Sequence, residues 1–371
     1  MSIHAHVVGW GKYVPPGVLT NDDLTRLVDT SDDWIRTRTG IVERHVVSDG
    51  ETTASMAIRA ARQALEVAGL KPSQLDLIIV ATVTPDHAFP ATACLVQNAL
   101  GARSTAAFDL SAGCSGFVYG LSVGANLIAA GVYQNVLVIG AETLSRITDW
   151  ADRATCVLFG DGAGAVLLQA NGAEGGVLST VLGADGSGGD LLCLPAGGSK
   201  QPPSHRTVAE GLHYLRMRGR EVFRFAVRVM PAATRQVLEQ ANLTLADLSL
   251  VIPHQANQRI IEASARSLGL SSEAVFSNLE RYGNTSAASI PIALCEAAEQ
   301  DRIQRDDLVV CVGFGAGLTW GAAAIRWSVP LPPAPLSRWE RALYGLRYRF
   351  AALRSWVRRL VRWLFSRGVK E

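Results

Sequence analysis

Residues 76–84 read DLIIVATVT, and far along the chain residues 247–255 read DLSLVIPHQ. Each is a short run of Val, Ile and Leu preceded by a helical stretch and a small turn, the pattern of a strand buried in a parallel sheet. Two further pairs keep the same order: VLVIGA (136–141) with VVCVG (309–313), and FGDGAGAVLL (159–168) with FGAGLTWGAAAI (314–325). Each set ends in an apolar strand, a Gly-rich turn and a second apolar strand. Any two α/β segments can share one Val/Ile run by chance, but three matches in one order predict a duplication. The fold class expected is α/β, with similar halves at residues 1–173 and 174–327 packed as a pseudo-dimer within one chain.

The 371 residues, 48% hydrophobic and 18% charged, suffice for two cores of domain size. The first nine residues alternate like a strand and carry no basic n-region or cleavage site, so no export is expected. Six cysteines stand at 94, 114, 156, 193, 295 and 311 without a CxxC or paired spacing, which predicts neither a metal site nor a disulfide framework. A reducing, cytoplasmic setting fits them. The net charge of +2 is unevenly spread. Residues 328–371 carry nine Arg and Lys370 against Glu340 and Glu371, a net +8, which leaves residues 1–327 at −6. A mildly acidic body argues against nucleic acid as a partner, since that needs a basic footprint. Residues 328–337 (SVPLPPAPLS) are Pro-rich and predict an extended linker, so the folded body should end near Trp327.

Residues 106–110 (AAFDL) read as a strand, 111–113 as a tight turn, and 114–131 (CSGFVYGLSVGANLIAAG) as a helix apolar or small on nearly every face. Such a helix belongs inside the protein. Cys114 falls in its first turn, where unpaired N–H groups and the helix dipole favour a thiolate, as a nucleophile requires. Cys94, Cys156, Cys295 and Cys311 lie in apolar helix or strand patterns and read as small buried hydrophobes. His254 directly follows an apolar strand, and Asn284 lies where the turn YGNTSAAS opens into a helix. Alone, His254 reads as a buried histidine and Asn284 as a helix cap. Together they stand at the rim where α/β sheets place their chemistry.

Seven stretches resemble those of β-ketoacyl-acyl carrier protein synthase III, of the thiolase-like superfamily. They are WIRTRTGIVERH (34–45), HAFPATAC (87–94), FDLSAGCSGF (108–117), DRATCVLFGDGAGA (152–165), PHQAN (253–257), GNTSAAS (283–289) and GFGAGLTWG (313–321). The resemblance covers residues 3–327. It implies a thiolase-like fold of two βαβαβαββ halves in an α/β/α/β/α core. It also implies a decarboxylative condensation of an acyl-CoA with malonyl-acyl carrier protein, initiating fatty acid or related polyketide synthesis without a cofactor.

The resemblance assigns roles residue by residue. Cys114 takes the acyl group, and backbone N–H groups of Cys114 and Ala316 hold the oxyanion. His254 and Asn284 donate to the malonyl thioester carbonyl, and Phe314 crowds the malonyl carboxylate. Ala316 departs from the family, which commonly has three successive glycines after the phenylalanine where this chain has Gly315, Ala316, Gly317, and it is tolerable only if its φ is negative. For CoA, Trp34 and Arg153 sandwich the adenine, Arg38 contacts phosphate and Asn257 the pantetheine arm. Leu144 and Phe159 wall the acyl pocket, while Phe89 reaches across a homodimer interface to close the partner's pocket. The alternatives are an acyltransferase acting on an alcohol or amine without decarboxylation, and a silent partner of an active synthase. Asn284 argues against the first and Cys114 against the second.

Arg220, Arg224 and Arg228 recur at i, i+4 and i+8 on one predicted helix, and Arg259 and Arg266 share another, so these five are candidates for docking an acidic carrier protein. In the tail, residues 338–371, Trp339, Leu343, Leu346, Phe350, Leu353, Val357, Leu360 and Leu364 form one stripe of an amphipathic helix, with most arginines opposite. The stripe fits either an in-plane membrane contact, peripheral to a cytoplasmic enzyme, or packing on the body or on another copy.

Overall fold

The structure is a computed structural model that describes residues 3–329 and 338–366. Most of the expected linker, residues 330–337, therefore lies outside the described residues. The first sheet is built from β1 (His4–Tyr13), β2 (Leu77–Ala81), β3 (Ala106–Leu110), β4 (Asn135–Thr143) and β5 (Asp161–Asn171), in the order β1-β5-β4-β2-β3. β1 and β4 run antiparallel to β5, whereas β2 runs parallel to both β4 and β3.

The second sheet repeats this plan. β6 (Gly176–Ala184), β7 (Leu250–Pro253), β8 (Leu308–Gly315) and β9 (Thr319–Arg326) lie in the order β7-β8-β9-β6. β6 and β8 are antiparallel to β9, and β7 is parallel to β8. Where the first sheet has β3 as its fifth strand, the second has a single parallel bridge from Val251 to Val275. The paired motifs of the sequence thus occupy equivalent strands: β2 with β7, β4 with β8, and β5 with β9.

Helices fill the layers between and outside the sheets. α1 (Asp32–Thr39) covers the site described below; α2 (Thr53–Ala68) and α3 (Thr92–Leu100) cover the outer face of the first sheet. α4 (Gly116–Ala129) and α7 (Ser289–Glu299) lie between the sheets; α5 (Gly219–Gln240) and α6 (Gln258–Leu268) cover the outer face of the second. The positions of α4 and α7 follow from their residues. α7 buries every residue from Ser289 to Ala298, and α4 buries Phe117, Val118, Leu121 and Ile128 against both sheets. Each such side chain contributes about 1.5–3 kcal/mol, which an exposed position would forfeit. Cys156, Cys295 and Cys311 are buried as expected. Cys94 is not: α3 turns Thr92, Ala93, Val96 and Leu100 inward, which leaves Cys94 on its outer face.

The tail forms α8 (Arg338–Ser366), which packs on the body by a face other than the expected stripe. Tyr344, Tyr348 and Ala351 are buried. The Tyr344 hydroxyl donates to the Leu70 carbonyl at 3.2 Å, and the Arg62 guanidinium lies 4.3 Å from the Tyr348 ring centre. Ser355 donates to the Asn98 Oδ1 at 2.7 Å. Among the described residues no helix is long and apolar enough to cross a membrane.

Candidate active site

Cys114, His254 and Asn284 line one cavity of about 630 Å³ between the two halves. Cys114 sits in a 3-10 turn (Gly113–Ser115) that runs straight into α4. The turn touches the Gly-rich end of β8 so closely that a Cβ on Gly315 would lie 2.4 Å from the Cys114 nitrogen. Gly113, at φ +56°, faces the Ala316 nitrogen in the same way, a Cβ there meeting it at 2.6 Å. Both glycines are dictated by this contact, since no side chain fits between the turns. Ala316 itself keeps a φ outside the left-handed region, as its side chain requires. Thr319 ties the two turns together by donating to the Ala112 carbonyl at 2.8 Å, while Ser115 donates to Thr319 at 2.8 Å.

The charge state of Cys114 differs from the expectation. Burial pushes its thiol up to about 12, with a Ser286 hydrogen bond acting in the opposite direction. Desolvation of an enclosed anion outweighs the partial charge at the helix start, so the resting group is a thiol.

His254 leaves the end of β7 with its N–H on the Val312 carbonyl at 2.8 Å. Its Nδ1 lies 2.7 Å from the Ser289 Oγ, which also receives the Gln255 N–H at 3.4 Å. A Ser289 hydroxyl that receives this N–H can give its own proton to Nδ1, an arrangement that leaves the ring proton on Nε2. Nε2 is buried with no partner among the described residues. Burial lowers the pKa of His254 to about 3, so the ring is neutral. Phe314 meets it edge to face, ring centres 5.3 Å apart.

Asn284 has its Oδ1 occupied by the Ser286 N–H at 2.8 Å, which leaves its amide N–H groups for the cavity. The loop that carries it is braced from below by Glu296 of α7. That carboxylate accepts from Asn278 at 3.0 Å, Arg281 at 2.6 Å, Tyr282 at 2.6 Å and Lys12 at 3.1 Å.

Toward the opening the cavity is lined by Trp34, Arg38, Asn257, Arg220, Arg224 and Arg259. Arg153 stacks on Trp34 with its guanidinium 4.9 Å from the ring centre, and Arg38 lies at 5.0 Å. A base sandwiched between Trp34 and Arg153 needs two stacking distances, about 7 Å, so Arg153 must swing outward to admit one. Asn257 caps α6 by accepting from the Arg259 N–H at 2.9 Å and ties α6 to α1 by donating to the Arg38 carbonyl at 3.0 Å. Phe159 lines the cavity, with Leu144 buried behind it beside Leu215. Phe89 is 86% exposed and away from its own chain's cavity. Arg228 and Arg266 are also set back from the opening, Arg228 in a depression with Asp185 and Asp190, and Arg266 3.8 Å from Glu262.

Three residues of the site escape the sequence reading: Ser286, Ser289 and Glu142. Ser286 has φ +50°, an uncommon conformation for a serine, and donates to Glu142 at 3.0 Å while contacting Cys114. Glu142 also accepts from Thr82, Thr84 and the Val83 N–H, and burial raises its pKa to about 7. A lone acid closing the apolar strand VLVIGAE is the signal that marks it. Among the described residues no group of His, Cys, Asp or Glu is placed to hold a metal ion.

A duplicated α/β/α/β/α fold with a buried cysteine between its sheets has the thiolase-like architecture. Residues 108–186 match the family described as 3-oxoacyl-(acyl-carrier-protein) synthase III, and residues 238–327 match its C-terminal part. β-Ketoacyl-(acyl-carrier-protein) synthase III of Symbiobacterium thermophilum is 58% identical over 321 residues, 86% of this chain and 97% of the relative. That of Caldanaerobacter subterraneus subsp. tengcongensis is 55% identical over 326 residues, 88% and 98% of the two chains. The crystal structure of 3-oxoacyl-(acyl-carrier-protein) synthase III from Aquifex aeolicus superposes with a TM-score of 0.82 at 50% identity, covering 87% of this chain and all of that one. The chain belongs to the β-ketoacyl-acyl carrier protein synthase III family.

Proposed function

We propose that Cys114, His254 and Asn284 condense an acyl-CoA with malonyl-acyl carrier protein to a 3-oxoacyl-acyl carrier protein, the initiating step of fatty acid synthesis. Cys114 Sγ attacks the acyl-CoA carbonyl, with the oxyanion held by the N–H groups of Cys114 and Ala316. The C–S bond to CoA breaks, and CoA leaves with the thiol proton. Malonyl-acyl carrier protein then places its thioester carbonyl against His254 Nε2–H and the Asn284 amide. Carbon dioxide departs, the enolate attacks the acyl-cysteine, and the released thiolate takes up a proton. Phe314, against the His254 ring, keeps the carboxylate in apolar surroundings that favour its loss as neutral gas.

The observation that carries this reading is the convergence of two neutral donors, His254 Nε2 and Asn284 Nδ2, on the cavity that holds Cys114. An acyl transfer to an alcohol or amine has no use for a second carbonyl donor. The test is separation of the half-reactions. Cys114→Ser is expected to form no acyl-enzyme by intact mass, whereas His254→Ala and Asn284→Ala acylate but do not release carbon dioxide from malonyl-acyl carrier protein. Equal loss of both half-reactions in all three variants rejects the assignment.

The halves divide this work, residues 1–173 supplying the nucleophile and residues 174–327 the donors. Trp34, Arg38, Arg153 and Asn257 form the CoA site, and Arg220, Arg224 and Arg259 surround its opening as the docking surface for an acidic carrier protein, flanked by Arg228 and Arg266. A homodimer is supported by the exposure of Phe89, Phe108 and Cys94 beside β3, whose free edge is open to pairing. In that dimer Phe89 closes the partner's acyl pocket behind Leu144 and Phe159. The chemistry uses only thioester substrates and side chains, with no further cofactor.

A further inference from the structure

The match to the family ends at Trp327, and α8 lies beyond it. α8 docks by Tyr344, Tyr348 and Ala351, and its apolar stripe is on the other side. Nine residues are about 2.5 helical turns, so Leu353, Val357 and Leu360 stand half a turn round from Tyr344, Tyr348 and Ala351 respectively. The stripe is open to solvent along its length: Trp339 is 83% exposed, Phe350 68%, and Leu343, Leu346, Leu353, Val357, Leu360 and Leu364 between 39% and 56%. It spans about 39 Å from Trp339 to Leu364. Arg347, Arg354 and Arg358 fall between the stripe and the docked face, with Arg349 on the other flank, and Trp356 and Trp363 border the apolar side.

We propose that α8 is a membrane-surface element, held on the body by its Tyr face and laying its Trp/Leu/Phe stripe in the plane of an anionic lipid bilayer. Charge selects this occupant. The segment 328–371 has a net charge of +8 and the body −6, so an anionic surface attracts the tail and repels most of what surrounds it. A second copy of the tail would bring +8 against +8, which opposes helix pairing along the stripe. Apolar residues in the centre, Trp at the borders and Arg on the flanks are the distribution an interfacial helix needs, because each group then meets its own depth of the bilayer edge. The docked Tyr face fixes the orientation, so the body is presented to the surface in one pose rather than on a loose tether.

The experiment is flotation of the full-length protein with vesicles of phosphatidylcholine alone and of phosphatidylcholine with phosphatidylglycerol. The expected result is binding to the anionic vesicles at low salt, weakening as salt rises. The triple variant Leu346→Asn, Leu353→Asn, Val357→Asn changes only exposed side chains; it should bind roughly tenfold less or weaker still, with Tm and activity on soluble substrates unchanged. The inference is overturned if the native chain ignores anionic vesicles at low salt, or if the variant binds as well as the native chain. It is equally overturned if the variant has a lowered Tm or a smaller assembly by light scattering, which would assign the stripe to a protein contact.

Discussion

The Ser286 hydroxyl donates to Glu142 at 3.0 Å, joining a strained turn of the second half to a buried acid of the first directly beneath Cys114. The same serine fixes Asn284 through its backbone N–H. One residue therefore sets the position of the carbonyl donor and contacts the nucleophile, and its own position depends on the acid.

Glu142 makes stability pH-dependent. Burial raises its folded pKa to about 7, above the 4.5 of a solvated glutamate in the unfolded chain, so between these limits the folded state holds a proton that the unfolded state has lost. This contribution to stability is full below about pH 4.5 and is lost as pH rises through 7. Glu142→Gln should flatten that decline, by an amount on the order of 3 kcal/mol at most, read from urea denaturation at pH 5 and pH 8. An unchanged pH slope would show that Glu142 does not titrate in this window.

Ser289 positions the His254 proton. Ser289→Ala removes the hydroxyl at Nδ1 and with it the preference for Nε2–H, so malonyl decarboxylation should fall about 10- to 100-fold while acylation of Cys114 is kept. Because burial holds His254 near a pKa of 3, the native decarboxylation rate should show no protonation of His254 between pH 8 and pH 5. A loss of rate with an apparent pKa near 6.5 in that half-reaction, absent from the acylation step, would contradict the neutral ring.

Gly315 permits the contact between the two turns. In Gly315→Ala the new Cβ meets the Cys114 nitrogen at 2.4 Å, backbone against backbone, and the turns must part. Acylation of Cys114 should fall by a hundredfold or more, on the order of the loss of an oxyanion donor, with the far-ultraviolet circular dichroism unchanged. Acylation at the native rate would show that the contact is not needed.

Arg224 and Arg259 lie at the opening, and the Arg259 guanidinium stands 5.5 Å from the Phe223 ring centre. Reversing either to Glu should raise the KM for malonyl-acyl carrier protein far more than that for acyl-CoA, a difference that shrinks with salt. Equal effects on both substrates would place these arginines on the CoA path.

The sequence by itself determined the duplication, because strands buried on both faces must be written as apolar runs and the runs recur in order. It also determined which residues stand at strand ends and helix starts, hence Cys114, His254 and Asn284. It could not show what stands next to them across the halves. The bond of Ser286 to Glu142 joins the two halves, that of Ser289 to His254 joins a helix to a strand end within the second, and no local pattern records either meeting. The protonation of Cys114 was decided by tertiary enclosure, since the helix start acts locally while desolvation depends on every atom packed around the sulfur. The tail shows the same division. Its amphipathic stripe is legible at helical spacing, but which face docks was decided by Tyr344, Tyr348 and Ala351 fitting the surface of α2 and α3, a choice of shape that hydrophobic periodicity does not encode.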